Sequence, residues 1–412
     1  MDIKKKVIGD MFLNIIAVTI PVAVLQLVVY PITAKAISAE NYGLMLTIYS
    51  AWVMVSNSIG NVLNNIRLLH NSKYIEKKIK GDFNILFRRW SIINSLIIIA
   101  FLIFYCKGFN GEHIFLGVIV SLLILTKDYT EVGFRLKLNY RAIVVNNALQ
   151  GIGFLLGMYI TINTGIWEFI FIAGYLFGCT FCVLKTKLMR DPLIKTELFT
   201  RVNNDTNKLV IASVIGNMMN YADKLILYPI MGGYAVSIYY TATILGKIIG
   251  MLTGPINSVV LSYISRWDSD KKNILNKILI IGTALCIIGY IITLVIAKPI
   301  IGLLFKQWVD EVMCYIPITT INVLLLTLIS IISPFVLKFC DMKWQIIINC
   351  SSVAVYFVAA LVLWKLFGLT GFCIGTVIGT VTKLVIMLFV YYGTKENMKI
   401  DKEGDNICNS EI

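Results

Sequence analysis

The sequence predicts an all-α polytopic membrane protein, with about twelve transmembrane helices in two parallel six-helix lobes. Three observations predict it: an apolar composition, apolar runs of membrane-crossing length, and an internal duplication. The 412 residues are 58% hydrophobic, with a mean hydropathy of +0.80, whereas soluble domains run near 45–50% apolar.

Runs of about 17–25 apolar residues match the hydrocarbon thickness of a bilayer. They fall at 10–34, 43–64, 90–106, 112–131, 142–163 and 166–184, then at 209–230, 234–262, 278–297, 312–337, 345–364 and 371–392. Lys127, Asp128 and Glu131 crowd the end of the fourth run. The first run, from Val7 to Ala34, is too long for a cleaved signal peptide.

Basic residues orient the chain. With the N-terminus in the cytoplasm, about 29 of the 37 Lys and Arg fall on the inside. They include Lys4–Lys6, the stretch from Arg67 to Arg89 and the stretch from Lys185 to Lys208. An even number of spans then places the C-terminal tail inside as well. Trp90, Trp167, Trp267, Trp308, Trp344 and Trp364 lie near span ends, where amphipathic rings anchor to the interface. The net charge of +14 follows from this bias. It suits anionic lipid at the inner leaflet and calls for no nucleic acid.

The duplication shows in the motif "YPI", which closes the first span (Tyr30–Ile32) and the seventh (Tyr228–Ile230). "NYGLMLTIYSA" follows the first copy and "GGYAVSIYYTA" the second. Because each copy holds an even number of spans, both enter the membrane in the same direction, the parallel arrangement found in transporters. The sequence therefore divides into a six-helix lobe at 1–190, a basic cytoplasmic linker at 191–208, a second six-helix lobe at 209–394 and a polar cytoplasmic tail at 395–412.

Several classes drop out. No segment outside the spans is large enough for a catalytic domain, and no P-loop is present; "LGKI" at 245–248 lacks the earlier Gly and the following Ser or Thr. "CTFC" at 179–182 stands without a second pair or a nearby His, which makes it packing rather than metal chemistry. His70 and His113 read as solvated. No enzyme activity, metal or cofactor is expected.

What remains is charge inside the spans. Asp223 is the single acidic residue well inside one, followed by Lys224. Neighbours on a helix point about 100° apart, so each is expected to need another partner. Asn217 and Asn220 extend the same polar stripe. Lys247 and Lys383 sit near the middle of spans eight and twelve, too central to snorkel easily. The deep polar groups of the first half read as neutral: Gln26, Asn57, Asn61, Asn146, Asn147 and Gln150. Lys224, Lys247, Lys383, Asn217 and Asn220 are the candidate substrate-binding residues, and Asp223, with Glu131 behind it, the candidate ion-coupling residue. Gly246, Gly250 and Gly254, and again Gly371, Gly375 and Gly379, form small-residue faces for close helix approach.

The stretch "YADKLILYPIMGGYAVSIYYTATILGKIIGMLTGPINSVVLSYISR" resembles the span-seven-to-eight signature of bacterial Wzx-type lipid-linked oligosaccharide flippases. These form the polysaccharide transporter branch of the multidrug/oligosaccharidyl-lipid/polysaccharide (MOP) exporter superfamily. "ISAENYGLMLTIYSAW" is similar to the family's first loop, and "LWKLFGLTGFCIGTVIG" to its eleventh-to-twelfth turn. The resemblance implies secondary transport by alternating access. The cargo it implies is an undecaprenyl-pyrophosphate-linked oligosaccharide, an O-antigen or capsular repeat unit, moved from the cytoplasmic to the outer leaflet of the bacterial inner membrane. It further implies a proton or sodium ion gradient as the drive and polysaccharide polymerase machinery as a partner. Lys224 stands where the family often has Arg, which forgoes bidentate phosphate recognition. Two other readings remain: a cation-coupled multidrug/toxin extruder of the same superfamily, and a membrane scaffold or receptor. Buried lysines in excess of carboxylates favour an anionic cargo over the extruder.

Overall fold

A computed structural model describes residues 3–105, 110–251, 272–340 and 342–408. Lys107, Gly254, Pro255 and Trp267 lie outside the described residues. Among the described residues every regular element is helical. The chain divides into two compact units, residues 1–237 and 238–412. That division falls just inside the start of span eight, whereas the sequence repeat divides at the basic linker.

In the first unit α1 (Ile3–Val24) widens into a π-helical turn over Leu25–Val29 before α2 (Tyr30–Ala36). Pro31 brings no N–H to the Leu27 carbonyl and its ring crowds that oxygen, which favours the wider turn. Ser38 caps α3 (Ala39–Trp52) by accepting from the Asn41 N–H. A second π turn, Val53–Asn57, leads into α4 (Ser58–Glu76) without any proline to cause it. Then come α5 (Phe83–Tyr105), α6 (Gly111–Thr130), the single turn α7 (Val132–Arg135), α8 (Tyr140–Thr164) and α9 (Glu168–Thr186). Glycines join α8 to α9 closely: a Cβ on Gly153 would come within 2.8 Å of the Gly174 Cα.

Two long helical stretches are each broken at a glycine. α10 (Phe199–Met251) has 53 residues, which would run ~80 Å against a hydrocarbon layer of ~30 Å. Gly232 breaks it with φ 79°, a conformation that costs a residue with a Cβ about 1–2 kcal/mol. The same holds for the last helix, α14 (Met342–Cys408), which Gly368 breaks at φ 58°. Among the described residues nine helices are long and apolar enough to cross a membrane, against the twelve expected; one of them, Ile347–Gly393, contains the Gly368 break. The last helix continues through much of the polar 395–412 segment.

In the second unit α11 (Lys272–Leu304) is the most apolar helix; its window Leu279–Leu304 has a mean hydropathy of 2.7, and Ile280, Leu285 and Val295 point outward as lipid-facing side chains do. The single turn α12 (Val309–Val312) leads to α13 (Ile316–Phe339). Phe335, Val336, Ile348 and Tyr391 form part of the core that α13 shares with α14. The second small-residue face works as expected: a Cβ on Gly375 would lie 2.5 Å from the Ala360 Cα, and one on Gly379 2.9 Å from the Tyr356 Cα. Replacing Gly375 with Leu is therefore expected to force apart the two arms on either side of Gly368. Detergent-solubilised protein should lose its monodisperse chromatographic peak, whereas Val381→Leu, on the exposed side, should keep it.

The tryptophans expected near span ends differ in burial, Trp344 being exposed and Trp364 half-buried. Trp90, Trp167 and Trp308 are buried in protein, and Trp167 packs on Trp52 with ring centroids 5.7 Å apart. Ring area is buried here against neighbouring helices, which competes with the headgroup region for the same side chains.

Candidate functional site

The Asp223–Lys224 pair closes on itself. Lys224 Nζ donates to Asp223 Oδ1 at 3.0 Å, and the ammonium lies 5.9 Å from the Tyr221 ring centroid. The expectation that adjacent residues could not pair is overturned: the long lysine stem curls back over the i−1 carboxylate, which keeps both charges compensated where water is scarce. Asn217 Nδ2 donates to Ser58 Oγ at 2.7 Å, tying α10 to α4, while Asn220 is exposed. Lys247 and Lys383 belong to the second unit. Lys247 Nζ stands 4.5 Å from the Tyr240 ring centroid. Lys383 is half-buried one turn beyond Thr380, which donates to Asn322 Oδ1 at 2.6 Å.

The most developed polar site gathers Glu131, the second ion-coupling candidate, with neighbours that the sequence reading had not joined to it. α6 and α7 carry Lys127, Asp128, Glu131 and Arg135, all lining a cavity of about 240 Å³ inside the first unit. Lys127 Nζ lies 3.1 Å from Glu131 Oε2 and 3.7 Å from Asp128 Oδ1, and Arg135 Nη2 donates to Glu131 Oε1 at 3.0 Å. From α4 and the π turn before it, Asn57 donates to Asp128 Oδ2 at 2.8 Å, Asn61 to Asn57 Oδ1 at 2.9 Å and Asn64 to the Asp128 carbonyl at 2.8 Å. Gly60 permits this approach, since a Cβ there would sit 2.8 Å from the Asp128 Cβ. Lys127, Asp128 and Glu131 are each less than a tenth exposed.

Across the cavity α8 presents Asn147 and Gln150, whose Oδ1 and Oε1 are buried without a hydrogen-bond partner. Burying an amide oxygen unpaired costs about 1–3 kcal/mol, so these are acceptors held ready for a donor or a cation. Tyr49 and Tyr175 close one wall with their hydroxyls 3.0 Å apart. The first half of the chain is thus not short of buried charge: Lys127, Asp128 and Glu131 are buried in protein over the last turns of the fourth crossing, which runs on to Arg135. The i, i+4, i+8 spacing of Lys127, Glu131 and Arg135 was the readable signal, because it sets three charges on one helical face.

The histidines are engaged rather than solvated. His113 Nδ1 lies 2.5 Å from Glu168 Oε1, and His70 Nε2 lies 3.2 Å from Asp205 Oδ2. At the N-terminal end of α3, Glu40 clasps the break in α10. Its two carboxylate oxygens accept from the Gly233 N–H at 2.6 Å and the Tyr234 N–H at 2.8 Å, and Ser237 Oγ donates to the Ala39 carbonyl at 2.6 Å. Those N–H groups open a helix, where an anion is favoured by unsatisfied donors and by the helix dipole. Gly43 and Gly233 meet backbone to backbone, leaving no room for a side chain on either.

No protein-family model and no curated protein matches the sequence. The structure is similar to an inward-facing multidrug resistance transporter of the MATE family, in the MOP superfamily, with a TM-score of 0.72 and 13% identity over 94% of this chain and 99% of that one. It is also similar to the lipid II flippase MurJ in an inward closed conformation, with a TM-score of 0.66 and 13% identity over 98% of this chain and 92% of that one. The chain has the fold of the MOP-superfamily transporters. A MATE in the bent conformation matches as well, at a TM-score of 0.61 and 14% identity, covering 97% of each chain. At such identities the likeness carries the fold; the roles of individual residues rest on this chain's own geometry.

Proposed function

We propose that the chain is a Wzx-type secondary transporter, which flips an undecaprenyl-pyrophosphate-linked oligosaccharide from the cytoplasmic to the outer leaflet of a bacterial inner membrane. One observation carries the reading. The described crossings within residues 238–393 carry Lys247 and Lys383 and no Asp or Glu. Cations in a low-dielectric setting favour an anionic cargo such as a pyrophosphate and oppose an organic cation. MurJ, whose name describes a lipid flippase, shares the fold. The six-helix lobes at 1–190 and 209–394, with both termini cytoplasmic, belong to the same reading. Coupling to a proton or sodium gradient is assigned to carboxylates of the first unit: Glu131 with Asp128 in the cavity, and Asp223 beside Lys224.

Lys247→Ala and Lys383→Ala are expected to lower flipping of a lipid-linked oligosaccharide in proteoliposomes at least tenfold at unchanged expression. Full activity in both would refute the substrate role. In a deletion strain, glycolipid accumulation without drug sensitivity is the expected phenotype. Drug sensitivity alone would favour the multidrug extruder, and neither phenotype a scaffold or receptor.

A further inference from the structure

The first unit has a second hollow, of about 370 Å³, within the roughly 300–1,000 Å³ of small-ligand sites. It lies at the end of α4 that the basic residues mark as cytoplasmic. Arg67, Asn71 and Tyr74, at i, i+4 and i+7, bring one face of α4 to it, and the stretch "KKIKGD" at 77–82 folds back across its mouth.

That turn is strained. Lys78 has φ 55°, Gly81 φ 149° and Asp82 φ 61°; left-handed backbone at a residue with a Cβ costs on the order of 1 kcal/mol or more, and such strain gathers at binding sites. It is held in place by a dedicated set of contacts. The wholly buried Asp82 accepts from Tyr74 at 2.5 Å, from the Thr196 N–H at 2.7 Å and from the Thr196 hydroxyl, while its own N–H donates to the Ile194 carbonyl at 2.9 Å. Burial and the adjacent Asp82 carboxylate push the Tyr74 hydroxyl up from its ordinary range, so it remains a donor.

The result is two exposed lysines, Lys78 and Lys80, lining the hollow with no ion pair among the described residues. Arg67, which lines the same hollow, is 7% exposed. It donates to Tyr129 at 2.9 Å and pairs with Asp191, while its Nε is buried without a partner. Asp191 is the one carboxylate lining the hollow, against three cations. A fixed guanidinium together with two ammonium groups on flexible stems is the chemistry that recognises phosphate oxygens.

We propose that this hollow is an anion site for a phosphate or pyrophosphate group. Two sources carry that chemistry, the headgroup of an anionic lipid and the free ion, and the site stands whether or not the chain flips a lipid-linked saccharide. The test uses the full chain in nanodiscs. In one arm, inorganic pyrophosphate is titrated calorimetrically into protein in neutral phosphatidylcholine. In the other, phosphatidylglycerol is added to the discs and its retention is read by native mass spectrometry. Lys78→Gln/Lys80→Gln should weaken binding about tenfold, equivalent to ~1.4 kcal/mol, and Lys78→Arg/Lys80→Arg should preserve it. An effect confined to the lipid arm assigns the headgroup, and one confined to pyrophosphate the free ion. Equal binding by wild type and the Gln variant in both arms, or no binding in either, would overturn the site.

Discussion

Glu131→Gln is expected to stop transport and to destabilise the first unit. The Glu131 carboxylate is the shared partner of Lys127 and Arg135, both within 3.1 Å. Removing its charge leaves the buried Lys127 and the part-exposed Arg135 facing Asp128 alone, and an uncompensated buried charge costs about 3–5 kcal/mol. Stability and function separate in the double variant Lys127→Met/Glu131→Gln, where Arg135 and Asp128 remain as one cation and one anion. Thermal melting should recover most of the loss. Gradient-driven transport should stay at least tenfold down, because the group assigned to coupling is gone. Glu131→Gln moving cargo at the wild-type rate under a gradient would remove Glu131 from the mechanism. Recovery of transport along with melting in the double variant would reduce the cluster to a structural role.

Glu40→Ala is expected to loosen the clasp on the α10 turn. The carboxylate makes two charge-assisted hydrogen bonds, to Gly233 and Tyr234, each worth roughly 1.5–3 kcal/mol. Losing them and stranding two helix-opening N–H groups should shift a closed-to-open equilibrium by about a hundredfold, since ~1.4 kcal/mol is tenfold. Exposed placement of Glu40 trims this toward the lower end. The readout is an impermeant maleimide reacting with a cysteine put at Ser237, a buried position, in a chain whose own cysteines have been replaced. Labelling should rise strongly in Glu40→Ala and little in Glu40→Asp. Equal labelling in all three would show that the clasp holds nothing closed.

Much of the fold was legible because membrane crossing is a one-dimensional constraint. Length and hydropathy mark a crossing whatever packs beside it, so the runs around α5, α8, α9 and α11 appear in the sequence nearly as they do in the structure. Gly371, Gly375 and Gly379 were legible for a similar reason, since their spacing repeats every helical turn. The site was less so. Lys127, Asp128 and Glu131 looked like the polar end of a span, because hydropathy averages charge without asking what faces it. The groups that share their cavity, Asn57 and Asn61 on one side and Asn147 and Gln150 on the other, lie far away in sequence.

The sequence by itself determined the class of molecule and the order of its apolar crossings, because each depends on local chain chemistry and the thickness of a bilayer; the breaks at Gly232 and Gly368 came from the structure. Only the tertiary structure decided which charges are compensated. Lys224 folds onto Asp223, Glu131 stands between Lys127 and Arg135, and Glu40 reaches a turn almost two hundred residues away. Coulomb energy in a dry interior depends on distances of a few ångströms, and those are fixed by which helices pack together rather than by where their residues fall along the chain.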